Sequence, residues 1–195
     1  MRFARRGCGS QNNIHTTGTV RRRTYPDPPP PWSNGPLTLY HGTLLGHWME
    51  IARDGVRVDR GRTGTDFGRG FYMTADRHQA QRWATGLTAQ ARDRPVVAFA
   101  AVSRDLLASL HCLFFVRGHE GAEDFWSFVA HCRRGTATHG RADEAGGMYD
   151  IVVGPVSRNY KRRLAYGEMD QIGFHTPAAQ EVLNSVPWSV YDPAD

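Results

Sequence analysis

Apolar residues along this chain recur in two rhythms. One is the alternation or short continuous run that suits strands, the other the three-to-four-residue spacing that suits helices. "PLTLY" (36–40) reads as a strand, and "LGHWMEIARDG" (45–55) as a helix with Trp48 and Ile51 inward and Gly55 past its end. "GFYMT" (70–74) is a strand, after which Thr74 or Asp76 caps the helix in "DRHQAQRWATGL" (76–87). Next come a buried strand "PVVAFAAV" (95–102), a short capped helix "SRDLLASL" (103–110) and a strand "LFFV" (113–116). "GAEDFWSFVAHCRR" (121–134) is an amphipathic helix ending in arginines, as its dipole prefers. "MYDIVVG" (148–154) and "DQIGFHT" (170–176) are strands, "PAAQEVLNS" (177–185) a helix with proline in its first turn, and "WSVY" (188–191) a last strand. Short strands mixed with single helices predict an α+β domain with mostly antiparallel pairing.

Composition narrows this. A chain of 195 residues, 40% hydrophobic, suits one core and is short for two domains. The net charge of +5 invites a nucleic-acid reading, but its location matters. Residues 1–35 carry six arginines against one aspartate, Asp27, and the remaining charges balance. That stretch, poor in apolar residues and closing in "PDPPPPW", is expected to be a disordered basic and proline-rich arm, with the folded domain at 36–195. No apolar run has secretory or membrane-spanning length, so a cytoplasmic chain with no membrane contact is expected. Cys8, Cys112 and Cys132 form no disulfide-dense pattern. The two His-Cys steps, His111-Cys112 and His131-Cys132, are poorly placed for one metal, since adjacent side chains diverge. No metal is expected.

Candidate chemistry lies in three segments. "LYHGT" (39–43) ends a strand in His41 and Gly42, where a histidine can face a cleft and a glycine lets another molecule approach the backbone. "TDFGRGFYMT" (65–74) sets Tyr72 after two glycines, Gly68 and Gly70, and "DQIGFHT" places Gln171 at a strand start. In this order the three segments resemble the H-Y-E branch of the ADP-ribosyltransferase superfamily, and more narrowly a group of small bacterial domains. The resemblance covers about residues 37–184. It implies two split antiparallel β-sheets with flanking helices in a single domain, and NAD as co-substrate. In that scheme His41, Tyr72 and Gln171 are the catalytic set. His41 bonds the adenosine ribose, Tyr72 stacks on nicotinamide through a cation–π contact, and the Gly42 backbone holds the carboxamide. Thr43 and Gly70 lie beside them, and Asp66 and Phe67 open a loop folding over the dinucleotide.

Gln171 departs from the family pattern, which has glutamate there to grip the nicotinamide ribose. A neutral bond is worth about 0.5–1.5 kcal/mol against about 1.5–3 for a charged one. On that ground Gln171→Glu is expected to keep or raise NAD cleavage. Asp170 faces away from Gln171, Glu168 is placed in the preceding loop, and position 169 is Met, so the arginine-modifying E-x-E pair is missing. The stretch before Gln171 reads as a loop of about fourteen residues, longer than a structural link needs. It interleaves Arg158, Lys161, Arg162 and Arg163 with Tyr160 and Tyr166, which suits phosphate contact and base stacking. In similar transferases the equivalent loop chooses the acceptor, so nucleic acid or protein is the expected partner, and a neighbouring antitoxin would follow if the chain is a toxin. An NAD glycohydrolase and a non-catalytic NAD or ADP-ribose-binding module remain alternatives. Each residue also has a plain structural reading: His175 and Thr176 as strand end and helix cap, and Trp83, Trp126 and Phe128 as core.

Overall fold

The strand expected to stop at Tyr40 continues. In the computed structural model, which describes residues 35–89, 91–116, 118, 122–135, 139 and 146–193, β1 spans Leu37–Leu44 and passes directly into α1 (Leu45–Asp54). His41 and Gly42 are therefore interior to β1, opposite Ala98 and Val97 of β3 (Pro95–Val102). Except for Gly35, the expected arm lies outside the described residues, which all fall in one unit, Asn34–Asp195.

Between these strands lie β2 (Phe71–Met73) and α2 (Arg77–Thr88). Asp76 starts α2 by accepting from the backbone N–H groups of His78 and Gln79, which helix geometry leaves without internal partners. α3 (Arg104–Ala108), capped by Ser103, leads to β4 (Cys112–Phe114) and α4 (Glu123–Arg133). β5 (Ile151–Asn159), β6 (Leu164–Phe174), α5 (Pro177–Asn184) and β7 (Trp188–Tyr191) complete the order. Thr176 caps α5, as its plain reading has it.

The architecture is α+β. One sheet has the order β1-β3-β7, the other β2-β6-β5-β4. Pairing is antiparallel except between β4 and β5, which run parallel with α4 as their crossover, so the second sheet is mixed. One apolar cluster, built on Leu39, Val102, Phe174 and Leu183, fills the space the two sheets share. A second, around Phe67, Phe125, Phe128 and Val152, packs α4 on the second sheet, and a third seats Ala80 and Ala84 of α2 against Val97.

The long loop expected before Gln171 is a hairpin. β5 runs five residues past Gly154 and β6 starts six before Asp170, leaving a short 3-10 turn, Tyr160–Arg162, and a left-handed Arg163 between them. Glu168 is consequently on β6 and exposed, not in a loop.

Candidate functional site

β1 and β2 meet at one bridge. Tyr40 and Thr74 exchange both backbone hydrogen bonds, at 2.8 and 2.9 Å, and thereby join the two sheets. Since Tyr40 uses both backbone groups toward β2, alternation along β1 points those of Gly42 the same way, off the paired edge. A continued ladder would give Gly42 the Tyr72 carbonyl. Instead the strands part, and His41 Nδ1 donates to that carbonyl at 2.7 Å.

His41 is thus a splint across the fork. A carbonyl only accepts, so Nδ1 carries the proton and Nε2 is left as an acceptor. The ring stacks on Phe71 with centroids 4.3 Å apart. Burial, which strips water from the imidazolium, lowers its pKa to about 4 against the opposing pull of the Tyr72 bond. His175 is held at about 4 for the same first reason, with Nδ1 on the Arg69 carbonyl at 2.9 Å and a buried Nε2 without a partner. Both rings are neutral at neutral pH, whereas in the unfolded chain each titrates near 6.5. Because the folded-state values are depressed, this contribution to stability is complete above about pH 6.5 and is lost as pH falls toward 4. Urea midpoints measured from pH 7.5 to 4.5 are expected to fall through that window, and to fall less in a His41→Asn, His175→Asn double variant.

On the second sheet Tyr72 lies opposite Gly173, and Gln171, two residues away on β6, shares that face. The Tyr72 ring runs over Gly173, with an edge-on contact to His175. Its hydroxyl is fully engaged. It donates to the Gly68 carbonyl at 2.6 Å, accepts from the Phe67 N–H at 3.2 Å and meets Thr65 Oγ1 at 2.8 Å. Burial raises the phenol's pKa above its ordinary value. Gly68 takes φ +85°, which is why glycine stands there.

Asp66 and Phe67, expected to fold over a ligand, are instead anchors. Phe67 is 0% exposed among Phe115, Phe128 and Tyr72. Asp66, 3% exposed, accepts from Arg133 through Oδ1 and, through Oδ2, from the Ser157 N–H at 2.7 Å and Gln171 Nε2 at 2.9 Å. Arg133 also donates to the Gly64 carbonyl. Gln171 Nε2 donates further to the Pro155 carbonyl at 3.3 Å. Its Oε1 has no hydrogen-bond partner among the described residues.

Gly42, expected to admit a ligand, and Gly70, placed beside the NAD-binding residues, are both packed tightly. A Cβ on Gly42 would stand 2.1 Å from the Ala80 carbonyl oxygen of α2, and one on Gly70 would stand 2.6 Å from His175 Nδ1. Thr43 is buried. Only the edge groups of Gly42 face the fork.

Sequence reasoning treated Trp83 as core, yet it is 63% exposed. One turn earlier on α2, Gln79 donates to the Asp170 carbonyl of β6 at 2.8 Å, so this side of the helix looks toward the second sheet across the fork. Arg133 and Ser157 were missed altogether. The expected acceptor residues stand on the hairpin: Arg158, Lys161, Arg162, Arg163 and Tyr166 are exposed, and Tyr160 is half-buried with its ring 6.0 Å from the Arg133 guanidinium. Arg163 pairs with Glu123 of α4 at 2.8 Å. Two surface hollows, of about 310 and 350 Å3, lie elsewhere, one between Trp48 and Trp188, the other between Ser109 and Ser185. Burial pushes the Cys132 thiol up to about 12.

A family model described as "Protein of unknown function (DUF3990)" matches residues 37–165. The chain belongs to this family. No curated protein matches it. The DUF3990 match begins with the first residue of β1 and ends just inside β6. It takes in His41, Asp66, Tyr72, Trp83, Arg133 and the hairpin turn, and stops before Gln171. No helix among the described residues is long and apolar enough to cross a membrane.

Proposed function

We propose that this DUF3990 chain binds NAD at the fork between its two sheets and transfers ADP-ribose to a macromolecular acceptor. The observation that supports the reading is the set of unspent polar groups where β1 and β2 part. These are the Gly42 edge groups, His41 Nε2 and Gln171 Oε1, on strands that also carry Tyr72. They match what a dinucleotide offers. The carboxamide has a donor and an acceptor for a strand edge, and each ribose has hydroxyls to donate to Nε2 and Oε1. The C–N bond from ribose to nicotinamide breaks with its electron pair leaving on nicotinamide, which becomes neutral. The oxocarbenium-like ribose is then attacked by an acceptor nucleophile, whose proton passes to water. Gln171 Oε1 orients the reacting ribose through its hydroxyl. His41, with Nδ1 committed to Tyr72, orients rather than acts as a base.

The hairpin bears on the acceptor. From Gln171 back to Leu164 the strand covers about 23 Å at about 3.3 Å per residue, so an acceptor touching both the fork and the basic turn is of macromolecular size, nucleic acid or protein. The test is incubation of the whole chain with NAD, nicotinamide release followed by chromatography, and mass spectrometry of protein and nucleic acid for the ADP-ribose increment. Nicotinamide with free ADP-ribose and no labelled polymer would mean a glycohydrolase. Binding without release would mean a binding module.

Trp83 is the freer aromatic face at the fork, whereas Tyr72 has its hydroxyl tied down. Trp83→Ala is expected to weaken NAD affinity by about 3- to 30-fold, the worth of one cation–π contact, and to leave the urea midpoint unchanged. Tyr72→Phe is expected to do the reverse, lowering stability by about 1–2 kcal/mol through lost hydrogen bonds. The sequence alone makes Tyr72→Phe mild. Calorimetric titration with NAD beside urea denaturation separates the two roles, and an exchanged pattern would return the stacking role to Tyr72.

A further inference from the structure

Every group that touches the Asp66 carboxylate is a donor: Nε and a terminal nitrogen of Arg133 on one oxygen, the Ser157 N–H and Gln171 Nε2 on the other. An amide at position 66 would bring its own donor against one of these, so only a carboxylate satisfies the set. The consequence is carried to Gln171. Its amide nitrogen is drawn to Asp66 and to the Pro155 carbonyl, and a planar amide held by its nitrogen has a determined oxygen direction. We propose that Asp66 and Arg133 are positioning residues for Gln171, fixing its side-chain amide so that the oxygen is the group presented at the fork and position 171 works as a neutral acceptor.

This deepens the NAD reading and rests on it for the identity of the hydroxyl that Oε1 receives; the locked amide itself does not depend on NAD. Arg133 is the far end of the device. Its guanidinium binds Asp66 and the Gly64 carbonyl and lies beside Tyr160 of the hairpin turn, so α4, the 64–68 loop and the hairpin turn are tied through one side chain. Arg133→Lys keeps the charge and loses the two-pronged geometry.

The decisive measurement is the side-chain NH2 signal of Gln171 in the 15N-labelled whole chain, assigned by its disappearance in Gln171→Ala. In the parent it is expected to exchange with solvent at least about tenfold more slowly than a free glutamine amide, because both its protons are bonded. Asp66→Asn should abolish that protection and Arg133→Lys reduce it, with the kcat for nicotinamide release falling more than KM rises. Arg133→Lys decides the matter if Asp66→Asn fails to fold. Unprotected exchange in the parent, or protection unchanged in a folded Arg133→Lys variant with an unaltered kcat, would overturn the positioning role. Titration of the parent with NAD keeps the two readings apart: a protected amide with no NAD binding sinks the functional reading alone, and NAD binding with an unprotected amide sinks the positioning alone.

Discussion

Gly42→Ala is expected to destabilise the fold by about 3 kcal/mol or more and to remove NAD binding with it. The added methyl would stand 2.1 Å from the Ala80 carbonyl oxygen and 3.0 Å from the Ala84 nitrogen, both backbone atoms that cannot turn aside. The whole of α2 must lift from β1. Overpacking a well-filled interior commonly costs about 1–3 kcal/mol where side chains can adjust, and here a helix has to move. Ala80, Ala84 and Val97 would lose their seat, and Trp83 would shift with the same helix. Gly86 provides the control. It lies on the same helix with nothing within 4 Å of where an added methyl would stand, so Gly86→Ala should be neutral or stabilising by up to about 1 kcal/mol. Urea denaturation of the two variants checks this, and a Gly42→Ala chain as stable as the parent would mean that α2 does not rest on this glycine.

The same glycine marks where sequence reading succeeds and where it stops. Element types were legible because each buried face leaves a periodic trace: "PVVAFAAV" and "EDFWSFVAHC" could hardly be anything else. Caps were legible too, since Asp76, Ser103 and Thr176 act on residues two or three places away. The β5–β6 hairpin was not. Beyond Pro155 its strands pair through Ser157 with Ala165 and Asn159 with Leu164, across two register shifts, and many of their side chains are exposed, so backbone pairing holds them with little apolar alternation. A basic, glycine-punctuated stretch then reads as loop. At the fork, the three motifs were visible, but the reasons for several of their residues were not, because the partners are remote: Asp66 meets Arg133, Ser157 and Gln171 at separations of 67, 91 and 105 residues. Reading Gly42 as an opening for a ligand followed from residue type, and placing Asp66 at the start of a loop over the dinucleotide followed from the resemblance. Packing assigns both to the frame.

Gln171→Glu shows how far that frame alters the chemistry. From the resemblance to ADP-ribosyltransferases alone, a glutamate at this position is expected to keep or raise NAD cleavage by restoring charge beside the developing cation. The contacts of Gln171 argue for the opposite outcome. Gln171 Nε2 lies 2.9 Å from Asp66 Oδ2, and substitution puts a second carboxylate oxygen in its place. Two carboxylates at such a distance cannot both ionise freely, and one of them retains a proton at unusually high pH. Arg133 offsets part of the repulsion, but it already bonds the other oxygen of Asp66. In its ionised form the introduced glutamate would swing away from Asp66 and lose the orientation that the amide has. Protonated, it can donate to Asp66 and leave its carbonyl oxygen where the amide oxygen stands. Nicotinamide release by Gln171→Glu is therefore expected to be about tenfold or more below the parent near pH 8, and the ratio of variant to parent to climb as pH is lowered toward 6, above most of the range in which histidine protonation weakens the fold. Initial rates of both proteins at half-unit intervals measure that ratio. A value above one that stays flat with pH would show the introduced side chain accommodated as an ordinary catalytic carboxylate, and would remove the physical reason for an amide at this position.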